Sequence, residues 1–202
     1  MPVITISRQF GAGGKTLSTV ISKILGYNVY DREVIKMVSE KARVSENWVD
    51  GVEKDAGSKL MNFVHGMIST SFLDRLLDDQ KGIIDEEIYI DLLQTIIPKI
   101  AMEENCVIVG RGGQFILEGK EEVYHIFLIA EKKDRVKFIE KAYNFTASQA
   151  LKVVNTEDNK RDVFFKKFHK TGHDNPIHYH LVINMSKVNI EKASELVCNL
   201  VS

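Results

Sequence analysis

Residues 3–16 read VITISRQFGAGGKT, a β-branched run that breaks into three glycines, a lysine and a threonine. Val3 to Ser7 has the composition of a short buried strand, and Lys15 to Leu25 places Leu17, Val20, Ile21, Ile24 and Leu25 at helical spacing. Strand, glycine loop, helix is therefore the opening unit. It points to an α/β chain in which helices cross over between parallel strands.

Glycine lets the backbone curl tightly because no Cβ blocks the turn. Amides around Gly11, Ala12, Gly13 and Gly14 can then surround an anion while the next helix presents its positive end to the same charge. In the usual phosphate-loop pattern, GxxxxGK followed by Ser or Thr, the lysine contacts the β and γ phosphates and the hydroxyl contacts Mg²⁺. Two registers fit. Matching Gly14, Lys15 and Thr16 to the end of the pattern leaves Gln9 where the first glycine belongs. Aligning Gly11 and Gly13 with the inner glycines instead puts Gly14 at the lysine position and moves Lys15 one step on. A glycine turn with no ligand is the plain alternative.

Downstream, Gly26 ends the first helix, NVY at 28–30 reads as a second strand, and Asp31 stands where it can cap another helix. Further strands are expected in CVIVG at 106–110, YHIFLIA at 124–130 and YHLVIN at 179–184. Their separation by long helical patterns implies a parallel sheet covered on both faces. Between the second and third strands, residues 45–105 read as a helical insertion, with helices at 45–52, 59–77 and 85–104. Ile88, Leu92, Ile96 and Ile100 stripe the last of these, and Pro98 should kink or split it. The apolar stripe from Met61 to Phe72 reads as core, with a homodimer contact as the other reading.

Twenty-seven basic against 28 acidic side chains leave no overall charge to attract long nucleic acids or anionic membranes, so phosphate recognition must be local. Cys106 and Cys198 both lie in apolar patterns, which suits reduced thiols better than a disulfide. With no secretion signal and no apolar run long enough to span a bilayer, a cytoplasmic protein is expected. His178 and His180 would share one face if both lay in the last strand, an arrangement open to a transition metal, but no spaced Cys or carboxylate accompanies them.

Taken in order, ITISRQFGAGG, VYDREVI, CVIVGRGGQFIL, HIFLIAEKKDR, TEDNKRDVFF and YHLVIN resemble the cytidylate kinase-like family, nucleoside monophosphate kinases of the P-loop NTPase class. The resemblance covers nearly the whole chain. It implies a single domain over 1–202, a three-layer α/β/α fold with a five-stranded parallel sheet, an acceptor-side insertion and a helical lid over 131–170. It also implies that Arg8 and the loop Gly11, Ala12, Gly13, Gly14, Lys15 and Thr16 hold ATP, with Thr16 as a Mg²⁺ ligand. Asp31, Arg32 and Arg111 would take the acceptor, CMP or dCMP, and Lys15, Arg111 and Arg161 would carry catalysis.

Bland readings stand beside these: a surface salt bridge for Arg8, helix capping for Asp31, and solvated faces for most lid lysines. Several positions depart from the family. Gly112 and Val109 stand where relatives carry carboxylates, Phe138 and Ile139 replace paired lid arginines, and His180 replaces an aspartate. Asp158 and Arg161 keep the Asp-x-x-Arg lid pattern. Three activities remain open: a monophosphate kinase, a nucleotide-binding module that has lost catalysis, and a P-loop kinase for another small acceptor.

Overall fold

The computed structural model describes residues 1–31, 86–168 and 172–201. Arg32, the first two insertion helices and the Met61–Phe72 stripe lie outside the described residues.

Five strands, β1 (Val3–Arg8), β2 (Asn28–Tyr30), β3 (Cys106–Val109), β4 (Val123–Ile129) and β5 (Leu181–Asn184), form one sheet in the order β2-β3-β1-β4-β5. Every pairing is parallel. Side chains alternate across the pleat, so Ile4 and Ile6 face one side while Val3 faces the other. Both sides are covered. Helices α1 (Gly14–Leu25) and α6 (Ile190–Val201) close over Ile4, Ile6, Val107, Ile126 and Ile183 with Leu17, Ile21 and Val197. Helix α2 (Glu86–Glu103) closes the opposite side, packing Leu93, Ile96, Ile97 and Ile100 on Val3, Cys106 and Ile108. This is the expected three-layer α/β/α arrangement.

Pro98 does not split α2, which runs on as one helix. An interior proline costs about 3 kcal/mol, and four buried apolar side chains around it, each contributing roughly 1.5–3 kcal/mol, outweigh that cost. Three helices around the site complete the fold. Helix α3 (Gly113–Ile116) begins just after β3, and the helix pair α4 (Lys132–Tyr143) and α5 (Ala147–Lys167) follows β4. A reciprocal capping box starts α5: the Thr146 hydroxyl accepts from the Gln149 amide while the Gln149 side chain accepts from the Thr146 amide. Among the described residues no helix is long and apolar enough to cross a membrane. Cys106 is buried, and burial pushes its thiol up to about 12, so it behaves as a packing residue.

The last strand begins two residues later than the sequence pattern implies. Asn175 caps a short 3-10 turn over Pro176–His178, so His178 and His180 do not share a strand face. His178 lies edge-on to Phe115, and His180 Nδ1 accepts from the backbone amide of His125 at 2.9 Å. His125 is only 6 % exposed, and its Nδ1 lies 2.7 Å from the Thr5 hydroxyl. Burial first, and the neighbouring His180 second, push the His125 ring down to about 4, while Glu118 acts weakly the other way. A depressed histidine favours the neutral fold above its unfolded value near 6.5, and that contribution is lost as pH falls towards 4. Denaturant unfolding is therefore expected to lose on the order of 2–3 kcal/mol between pH 6.5 and 4 through this residue. In His125→Gln that acid loss should shrink; an unchanged pH profile would contradict the assignment.

Candidate active site

The carboxyl end of β1 feeds the glycine loop. Gln9 continues the sheet pairing by donating its amide to Leu128 O at 3.0 Å, and its side-chain oxygen accepts from the Ala130 amide at 3.1 Å. It is not among the residues with positive φ, so a non-glycine is tolerated where the phosphate-loop pattern begins with glycine. Gly11 and Gly13, at φ 84° and 83°, make the reversal. Gly14, Lys15 and Thr16 then form the first turn of α1.

The start of α1 suits an anion. Gly13 caps it without a side-chain hydrogen bond, no acidic residue lies in its first turn, and Lys15 and Thr16 are exposed there. A magnesium ion finds less. Among the described residues no three His, Cys, Asp or Glu side chains converge, and Val109 is buried in the core at the end of β3. Mg²⁺ commonly keeps several waters and binds through substrate phosphates, so the Thr16 hydroxyl beside bound phosphates fits as a ligand.

Next to the loop opens a cleft of about 600 Å³ lined by Ser7, Arg8, Phe10, Gly110, Arg111, Lys160, Arg161 and Phe164. The structure thus brings together Arg8, Arg111 and Arg161, which are far apart in sequence. Asp31 follows β2 at the same sheet edge. Arg8 reaches the cleft through a gap made by two glycines. A Cβ on Gly14 would lie 2.9 Å from Arg8 Cγ, and one on Gly110 would lie 2.0 Å from Arg8 Nη1. Beyond Gly110, residues 110–112 are all left-handed, at φ 77°, 57° and 71°. Arg111 holds that conformation at a cost of roughly 1–2 kcal/mol, the kind of strain that concentrates at functional sites.

Arg161 is fixed from several directions. Its Nη2 donates to the Ser7 hydroxyl at 3.3 Å and pairs with Asp174 at 2.6 Å, and the guanidinium lies 5.3 Å from the Phe127 ring and 4.9 Å from Phe165. Asp174 was missed by sequence reading, which had no signal for a contact across the β5 approach. His173 stacks on Phe165, 3.2 Å from Asp162 and 3.5 Å from Asp174. Burial and then the Arg161 charge hold its ring below the usual histidine range. Asp158 of the Asp-x-x-Arg pattern pairs with Arg135, whose role the sequence pattern did not single out.

The two glycine positions make a contrast that can be measured. Alanine at either Gly110 or Gly26 forces a left-handed side chain, which should cost about 1–2 kcal/mol in denaturant unfolding. Gly26 has open space around its absent Cβ, so only Gly110→Ala should also displace Arg8 and weaken anion binding in the cleft. Equal anion binding by both variants would contradict the packing role of Gly110.

Comparison with known proteins agrees with this fold. A structure of an uncharacterized protein from Eubacterium ventriosum is similar at TM-score 0.70 and 18 % identity, covering 100 % of this chain and 98 % of that one. Shikimate kinase from Bacteroides thetaiotaomicron is similar at TM-score 0.51 and 11 % identity, covering 98 % and 97 %. At such identities these likenesses speak for the fold. No curated protein sequence matches the chain. The sequence model of the cytidylate kinase-like family matches residues 3–187, nearly the whole length, and the chain belongs to that family.

Proposed function

We propose that this protein transfers the γ-phosphoryl group of ATP to a nucleoside monophosphate, with CMP or dCMP as the preferred acceptor. One observation carries the reading: an uncapped helix start bearing Lys15 opens beside a cleft lined by Arg8, Arg111 and Arg161. Phosphoryl transfer asks little covalent chemistry of a protein, so donors and cations placed around the phosphates supply most of the catalysis.

Gly11, Gly13 and Gly14 offer main-chain amides to the ATP phosphates, while Ala12 donates its amide to Gln9 O at 3.1 Å and so holds the turn, and Lys15 offsets charge on the transferring group. Arg8 reaches the same phosphates from the end of β1. Thr16 contributes its hydroxyl to Mg²⁺, which when bound neutralises charge between the phosphates. Asp31, Arg32 and Arg111 orient the acceptor, whose monophosphate suits a guanidinium fork. Arg161 lines the cleft, held to Ser7 at the end of β1, and steadies the equatorial oxygens as charge shifts. Phe164, in the lining of the cleft, offers an aromatic face that suits a base. ATP-dependent work and two cysteines outside any disulfide fit a cytoplasmic setting.

The burial of Val109, at a position where relatives place a carboxylate, favours a second reading in which nucleotide is bound but turned over poorly. Assays with ATP, Mg²⁺ and each of CMP, dCMP, UMP, AMP and GMP, followed by ADP release, separate the two. Turnover should be highest with CMP or dCMP, and Lys15→Ala should lower it by roughly 10²–10³-fold. Tight ATP binding without turnover would favour the binding module; turnover with a non-nucleotide acceptor alone would favour a different small-molecule kinase. Arg111→Met should raise the acceptor KM by about tenfold and leave the ATP KM nearly unchanged.

A further inference from the structure

The glycine loop is held from behind by a side chain outside the phosphate motif. Arg135, in the first turn of α4, is only 5 % exposed. Its Nη1 donates to the Phe10 carbonyl at 3.1 Å and to both oxygens of Asp158 at 2.9 Å. The next loop residue, Gly11, lies so close to α4 that a Cβ there would meet Arg135 Cβ and the Arg135 carbonyl, each at 3.1 Å. The Phe10 ring is itself packed against Ile139, Ala150 and Val154 between α4 and α5.

A peptide unit is planar, and no cis bond occurs among the described residues. In a trans plane the carbonyl and the following N–H point in opposite directions. With the Phe10 carbonyl turned in to Arg135, the Gly11 N–H of the same plane points away from the helix pair. We propose that Arg135, tethered by Asp158, is a positioning residue for phosphate binding: it fixes the Phe10–Gly11 peptide plane so that the Gly11 amide faces the anion. Asp158 lies three residues before Arg161 on α5, so the same helical turn links the loop to the cationic cleft. The lid base and the phosphate loop then form one unit, and a shift in either reaches the other.

This rests on the phosphate-loop reading, and the test separates the two. Mg-ATP binding by calorimetry and thermal unfolding are measured for the wild type, Arg135→Met, Arg135→Lys and the double variant Arg135→Met/Asp158→Leu. Arg135→Met should bind ATP roughly tenfold more weakly, the loss expected for one charge-assisted hydrogen bond. The double variant replaces a largely buried ion pair by apolar side chains and should recover thermal stability. It should not recover ATP affinity, because nothing then holds the Phe10 carbonyl. Arg135→Lys keeps a donor within reach of that carbonyl and should restore part of the affinity.

Recovery of both stability and affinity in the double variant would make the pair purely structural and overturn the inference. Wild-type affinity in Arg135→Met would do the same. A wild-type chain that does not bind ATP would overturn the phosphate-loop reading, and this inference with it.

Discussion

The reversal between β1 and α1 constrains everything around it. β1 is central in the sheet, flanked by β3 and β4, and Val3, Ile4 and Ile6 are fully buried, so the strand has no freedom to shift. The chain must leave its end and start α1 within a few residues, and it does so through left-handed Gly11 and Gly13. Because Gly13 caps α1 with backbone alone, the first amides of that helix are left for an outside acceptor. Four unsatisfied donors at a helix start are a standing cost in a closed interior and an asset at an anion site.

Sheet order then gathers the remaining groups. From β1 the chain passes over to β2 on one side and later to β4 on the other, so β1 borders the point where connections diverge. Ligands in open α/β sheets bind at such crevices, outside the carboxyl ends of the strands. Here that edge carries Ser7 and Arg8 from β1 and Gly110 and Arg111 from the end of β3. The helix pair α4 and α5 covers the edge from beyond β4 and adds Arg161. Residues separated by more than a hundred positions in sequence thus surround one volume because parallel strands all end on the same side. Phe127 and Phe165 stack on Arg161 from the sheet and from its own helix, so the guanidinium is oriented by packing as well as by Ser7 and Asp174.

Much of this was legible in the sequence because it depends on local patterns. The alternation of Val3 to Ser7, the glycines at 11 to 14 and the helical stripe through Leu17 and Ile21 specify the opening unit, and the structure has it. The parallel pairing followed from helices intervening between strands, whereas the strand order came only with the structure. What the sequence hid depends on long-range contact. The partner of Asp158 is Arg135, 23 positions upstream, and nothing in the local Asp-x-x-Arg pattern points to that pairing. The need for glycine at 110 arises from Arg8, a hundred residues away. Pro98 carried a local breaking signal that burial of Ile96, Ile97 and Ile100 overrode. The last strand reads two residues too long because Tyr179 and His180 have strand composition, whereas they link the turn over Pro176–His178 to β5.

At the centre stands the claim that the main-chain amides of Gly11 and of Gly13 to Thr16 surround a phosphate. The most direct measurement is a titration of ¹⁵N-labelled protein with Mg-ATP, following backbone amide resonances one by one. The expected result is a saturable response largest at Gly11, Gly13, Gly14, Lys15 and Thr16, with the α6 amides nearly still. Saturation by ATP with those five amides unmoved, and the response centred elsewhere, would contradict it.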